Sequence, residues 1–515
     1  MNINRVFLIV LLMPLALTVV TNEATAATSY ALVVGNNTSQ SPDLPTLQYA
    51  DDDALRTGRL LEGLGVKAVV LAHPDDDTTR LYPNQKGTPV TRAKVLEAMD
   101  RLVKTVSDAP DSHHRVLYFV FSGHGSYDDE GRGFLHMEDG RLTTRDLFSH
   151  LIAPTAGVCD VVIVLDSCNA EFLVQSRGSA TRRKAGARTL HMEDYDHVGL
   201  VLSASLTGET REWGRYLGGI FSHQFRSAIS GGADANCDGE VSFPELAGFL
   251  DAANSAITNP QFRLKPYVRP PLGHPELSAA SPGKAPGLVP LELDGARPLR
   301  ASVFDEHLLR YADYNVGAGC PTAVGLLPGT TYTVRVDSRD YLAPAVAGSA
   351  LKLSALSPEP SGRITAKGAD AYFLKHLFEA PYSEKYYRRY TSGPYQRSLV
   401  VSHSYPRAWY DNPVGWIAVG AGVASAVTAG VMLSLAMDSR DKARRSIWAE
   451  DIAGYNEDVD RYNTASGVLW GVAGAALSAG VALFIWDRPW VEEQVVPQFS
   501  APLIAPEENA NSGDK

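Results

Sequence analysis

The sequence predicts an α/β fold with a mostly parallel sheet flanked by helices, followed by a small β-rich module and a C-terminal two-helix transmembrane hairpin. Three observations carry this. Between residues 29 and 257, short β-branched runs alternate with amphipathic stretches at helical spacing. From 289 to about 405 only short alternating runs recur, such as 289–293, 332–336 and 350–353, the pattern of a small β-sandwich. Near the end, 416–437 and 465–486 each hold 22 residues without a charge, long enough to cross hydrocarbon.

Taken in chain order, Arg5, an apolar run over 6–20 and Ala24-Thr25-Ala26 read as a secretory signal peptide (1–26), with the mature chain starting near Ala27. An uncleaved anchor is the alternative, disfavoured by the shortness of the run. Strands are expected at 30–34, 66–72, 116–121, 161–165 and 199–203, and helices at 50–63, 91–106 and 143–151, each opening near Asp or Thr. These give a first domain over 27–258. Pro and Gly density marks 259–288 as a linker, and the β-rich module follows at 289–405.

The hairpin occupies 406–486. Trp416 and Trp486 mark its outer ends, and Gly467 and Gly471 have the spacing that lets two helices approach closely. Two buried helices of a soluble bundle are the alternative. Arg440, Lys442, Arg444 and Arg445 assign the connection to the cytoplasmic side, which leaves 27–407 and the acidic tail 487–515 outside. The expected location is a bacterial-type inner membrane with the first domain on the periplasmic side.

A net charge of -11, from 58 acidic against 47 basic residues, gives no electrostatic footing for nucleic acid. Four cysteines, Cys159, Cys168, Cys237 and Cys320, are too few for a disulfide framework, although a bridge between Cys237 and Cys320 stays open.

Two short loops each follow an apolar strand: Ser122-Gly123-His124-Gly125, and Asp166-Ser167-Cys168-Asn169-Ala170. At the carboxyl ends of neighbouring parallel strands, an imidazole and a thiol meet in one crevice. That pair serves acyl transfer, with the Cys168 thiolate as nucleophile and His124 as general acid for the leaving amine. The N–H groups of Gly125 and Cys168 are candidates for an oxyanion hole.

At these residues the chain resembles the caspase-like cysteine peptidases, particularly metacaspases and bacterial caspase-family proteins. The resemblance spans roughly 29–271 and includes Leu47-Gln48-Tyr49-Ala50-Asp51-Asp52-Asp53-Ala54, Leu202-Ser203-Ala204-Ser205 and Gly218-Gly219-Ile220-Phe221-Ser222. It implies cleavage after Arg or Lys, with Asp166 and Asp53 (one place from Asp52) as acidic pocket residues and Ser203 on the pocket wall. After the nucleophile the chain departs from the metacaspase pattern, reading Asn169-Ala170-Glu171 in place of His-Ser-Gly. Residues 176–188 carry five basic residues in the place of the loop between large and small subunits, a candidate site of self-cleavage.

Residues 234–245 fit a twelve-residue EF-hand loop. Asp234, Asn236 and Asp238 offer side-chain oxygens, Gly239 makes the sharp turn, Glu240 offers its carbonyl, Ser242 follows, and Glu245 closes the set between helices expected at 221–229 and 244–256. The expected cofactor is Ca2+, with no organic cofactor. The leading reading is therefore a membrane-anchored cysteine endopeptidase acting on peptides with Arg or Lys. Its rivals are a catalytically inactive caspase-like scaffold and a calcium-binding protein.

Overall fold

The computed structural model describes residues 28–42, 44–109, 114–128, 132–168, 170–173, 195–203, 212–214, 216–255, 257, 263–293, 299–316, 321–337, 339–360, 398–404, 413–486 and 491–497. The signal segment, the basic loop 176–188, Cys320 and the tail beyond 497 lie outside them.

The first domain is built on six strands: β1 (Thr28–Asn36), β2 (Lys67–Ala72), β3 (Arg115–Gly123), β4 (Asp160–Asp166), β5 (Val198–Leu202) and β6 (Tyr267–Arg269). Their order is β6-β5-β4-β3-β1-β2, with β1 to β5 parallel and β6 antiparallel on the edge. Every residue of β4 and β5 is buried, as expected where helices cover both faces of a parallel sheet. The order reverses between β1 and β3, and in open parallel sheets such a switch point is where a crevice forms beyond the carboxyl ends of the strands.

Helix α1 (Ala50–Gly63) places Asp51, Asp52 and Asp53 in its first turn, where the helix dipole favours negative charge. Helix α2 (Arg92–Ser107) is capped by Thr91 and buries Val95, Ala98, Met99, Leu102 and Val106 at helical spacing. The stretch expected as one helix at 143–151 starts at Thr144, behind a capping box made by Thr143 and Asp146, and loosens into a π-turn from Phe148. Helices α3 (Ile220–Ser227) and α4 (Phe243–Ser255) flank residues 234–245.

Residues 259–288 do not form the expected linker. Their described part contains β6, the strand Ser278–Ala280 and a short turn of helix. Tyr267, Arg269 and Ala279 are buried there, so the Pro and Gly residues punctuate a packed segment.

The β-rich region is a two-layer arrangement. A three-stranded and a five-stranded sheet share one core containing Leu291, Val303, Tyr314, Val324 and Val334. It packs on α3 and the turn behind it: His223 Nε2 meets Asp313 Oδ2 at 2.8 Å, and a Cβ on Gly231 (φ 119°) would lie 2.1 Å from the Ala323 carbonyl oxygen. Burial would push Asp313 up, but Arg310 and His223 overcome it and hold the carboxyl well below the usual range.

Helices α5 (Pro413–Arg445) and α6 (Ala449–Trp486) form a hairpin, each long and apolar enough to cross a membrane. Its seam differs from the expected one. Gly415, Gly422, Ala429 and Ala436 are buried at seven-residue spacing on α5, opposite Ser466, Ala473 and Gly480 on α6. A Cβ on Gly422 would lie 2.7 Å from Leu477 Cγ, whereas Gly467 and Gly471 have nothing within 4 Å on the side a Cβ would take. A heptad of small residues, rather than the GxxxG pair, lets these two backbones approach.

Candidate active site

In parallel strands, residues in register lie side by side, and β3 and β4 align Ser122 with Asp166. His124 and Cys168 each follow two residues later, so both leave the sheet at the same level. A Cβ on Gly125 would lie 2.3 Å from the Cys168 carbonyl oxygen. The two loops therefore touch, and only glycine fits at that contact.

His124 is 6% exposed, and its Nε2 lies 2.7 Å from the Pro45 carbonyl. A carbonyl can only accept, so Nε2 carries the proton and Nδ1 keeps the lone pair that a base needs. Burial lowers the His124 pKa against this hydrogen bond, favouring the neutral ring. Behind it stands His136, its ring centroid 6.1 Å away, with its nitrogens 2.8 Å from Ser39 Oγ and 2.8 Å from Ser126 Oγ. Burial, with His124 and Arg141 nearby, lowers His136 to about 4, so it is a neutral support at physiological pH.

The cysteines sort by environment. Burial pushes the Cys159 thiol up to about 12, which makes it inert, and Cys237 is disulfide-bonded. Cys168 is outside any disulfide and only partly buried. Its loop is pinned from β5: Ser167 N–H donates to Ser203 Oγ at 3.1 Å, and that hydroxyl donates to the Ser167 carbonyl at 3.3 Å. Ser203, expected on the pocket wall, is 1% exposed and commits its hydroxyl to the loop backbone.

The crevice is acidic. Asp166 Oδ2 accepts from Ser222 N–H at 3.0 Å and Ser222 Oγ at 2.6 Å, and burial with the Asp53 charge pushes it up to about 7. Asp53 Oδ2 accepts from Gly219 N–H at 2.7 Å, while Oδ1 pairs with Arg226 Nη1 at 2.8 Å. Gly219 sits between the carboxylates, where a Cβ would lie 2.5 Å from Asp166 Oδ2 and 3.1 Å from Asp53 Oδ2. Asp52 turns away toward Thr78 and Arg56, so Asp53 is the residue that faces Asp166. Sequence reasoning missed Pro45, His136, Ser222 and Arg226. For the last two, only their four-residue spacing on an expected helix could have placed them on one face.

Beyond α3, residues 234–245 wrap round their own acidic groups. Cys237 and Gly239 take φ of 62° and 82°. Asp234 Oδ2 accepts from Gly239 N–H at 3.0 Å, Asn236 Oδ1 from Asp238 N–H at 3.0 Å, and Asp238 Oδ1 from Glu240 N–H at 2.8 Å. Glu245 is 1% exposed and accepts from Ala235 N–H at 3.0 Å and Ser242 N–H at 2.9 Å, while Ser242 Oγ donates to it as well. Asp234 is 6% exposed, and its Oδ1 is buried without a hydrogen-bond partner. Burial raises the pKa of both Asp234 and Glu245. The strand Val241–Ser242 pairs antiparallel with Ser278–Ala280, and the Glu240 side chain meets Ser278 and Lys284.

The caspase domain family model matches residues 28–265. Among solved structures, the chain is similar to caspase-1 from Spodoptera frugiperda at 13% identity, covering 48% of this chain and 87% of that one with a TM-score of 0.31. It is likewise similar to the Drosophila initiator caspase Dronc at 11% identity, covering 47% and 79% with a TM-score of 0.29. A structure described as pro-sf-caspase-1 has 14% identity, covering 47% and 87% with a TM-score of 0.30. No curated protein matches.

Proposed function

We propose that this chain, whose residues 28–265 are a caspase-family domain, is a cysteine endopeptidase that cleaves after Arg or Lys. The observation that carries this is the shared level of His124 and Cys168 at the ends of two adjacent strands, with the His124 tautomer fixed by Pro45. Cys168 attacks the scissile carbonyl, and His124 moves the proton to the leaving amine. The N–H groups of Gly125 and Cys168 receive the oxyanion. Turnover of an Arg-containing fluorogenic peptide by the full-length protein, lost in Cys168→Ala, is the test. Peptide binding without turnover would favour the inactive scaffold.

Basic specificity rests on Asp166. Asp53 already has Arg226 as its cation, which leaves Asp166 as the carboxylate whose charge a substrate guanidinium would draw out. An acid pushed up to about 7 is neutral below that pH, so kcat/KM for an Arg substrate is expected to rise as pH climbs through about 7. Asp166→Asn should flatten that limb and cost roughly ten- to a hundredfold, the worth of one charged hydrogen bond. A pH-rate profile unchanged in Asp166→Asn would remove Asp166 from the pocket. The five basic residues of 176–188 suit the same specificity, which makes that loop the proposed site of self-cleavage.

Residues 234–245 are proposed to bind Ca2+, held by Asp234, Asn236, Asp238, the Glu240 carbonyl, Ser242 and Glu245. The buried, partnerless Oδ1 of Asp234 fits a hard cation, since a buried carboxylate oxygen without a donor is costly. Helix α3 carries Ser222 and Arg226 at the acidic crevice and leads to this loop, so the ion would brace the pocket from behind. Glu245→Gln should weaken calcium binding at least tenfold by calorimetry, and unchanged heats would refute the site.

The disulfide at Cys237 and the two apolar helices support export and membrane anchoring with the domain outside. Protease accessibility of the domain in spheroplasts tests this orientation.

A further inference from the structure

We propose that His114, Asp160 and His274 form a binding site for one divalent cation of the zinc class, at the end of the sheet opposite the thiol and imidazole. The cation would tie the segment after β6 to β3 and β4.

The placement follows from the strands. His114 directly precedes β3, and Asp160 opens β4, where it lies in register with Val116. Strand β6 runs antiparallel to β5, so the chain leaving it at Arg269 returns to the starting edge of the parallel strands and brings His274 beside them. The length of β4, about 20 Å, separates this cluster from Cys168.

Three donors converge there. His114 Nε2 lies 2.7 Å from Asp160 Oδ2, and His274 Nδ1 lies 2.9 Å from the same oxygen and 3.1 Å from Oδ1. All three ligand atoms fall within 4.8 Å of one another, and the rings meet edge to face at 4.6 Å. Two imidazoles and a carboxylate are a donor set that zinc, nickel and cobalt take readily. Around a tetrahedral ion at about 2.0–2.1 Å the donors would stand about 3.3 Å apart, so each imidazole would move off the carboxylate by about half an ångström to admit it.

Each ligand is also held by its backbone. His114 accepts from Thr28 N–H at 3.0 Å. His274 donates to the Pro271 carbonyl at 3.3 Å and accepts from Leu277 N–H at 3.1 Å. The carboxylate is 1% exposed while the imidazoles are 38% and 48% exposed. A buried carboxylate thus faces outward between two exposed imidazoles, which leaves room for a water ligand and a path for the ion.

The test uses full-length Cys168→Ser protein in detergent, which removes the competing thiol and makes the readout independent of turnover. One Co2+ per chain should bind with visible d–d absorption and be displaced by Zn2+. His274→Gln and His114→Gln, both at exposed positions, should each weaken binding by at least tenfold and abolish that absorption, with the near-UV circular dichroism unchanged. Absence of Co2+ and Zn2+ binding in the parent, or variants that bind as tightly as the parent, would overturn the site.

Discussion

Cys168→Ala and His124→Ala are each expected to lower kcat/KM for an Arg peptide by at least about a thousandfold, with the double variant no slower than either single one. The non-additivity follows from the proposed dyad, in which the thiol is activated only by the imidazole and the imidazole shuttles a proton only for the thiol. His124 meets the Pro45 carbonyl through Nε2, so its remaining nitrogen is confined to one orientation and one protonation state. His136 closes the other side with its ring nitrogens spent on Ser39 and Ser126. Cys159 gives a control, because its buried thiol cannot substitute for Cys168, and Cys159→Ser should leave turnover intact. Additive losses in the dyad variants, or residual turnover above a hundredth of the parent, would separate the two residues functionally.

Much of this was legible because strand and loop chemistry are local. Val116 to Phe121 and Val161 to Leu165 could only be buried strands, and the loops after them carried His124 and Cys168 wherever the sheet put them. The acidic first turn of α1 was equally visible. What escaped was whatever depended on segments far apart in the chain. Arg226 reads as an ordinary helix residue until α3 packs across α1 and brings it 2.8 Å from Asp53, 173 positions away. Strand β6 lies among prolines, and only the free edge of β5 explains why three of its residues are extended. The hairpin seam failed for a different reason: Gly467 and Gly471 have the spacing of a contact motif, but spacing does not choose a helix face.

Arg226→Ala is expected to destabilise the domain by about 3–5 kcal/mol near neutral pH, the cost of leaving a buried anion without its cation. Asp53 is 1% exposed and already raised by burial, with Arg226 the largest opposing influence. Removing the guanidinium raises that carboxyl further. A raised folded-state pKa gives stability that is present below the unfolded value of about 4 and is lost as pH climbs through the folded one. The difference between variant and parent should therefore be small in acid and widen toward neutrality, as urea unfolding at two pH values would show. Asp166 shares the effect, because Arg226 also holds it down against burial and Asp53. Asp53→Asn in the Arg226→Ala background should recover part of the loss, since it removes the orphaned charge while keeping an acceptor for Gly219 N–H. A loss that is independent of pH, or below about 1 kcal/mol, would mean that the pair at the floor of the crevice does not carry the buried charge.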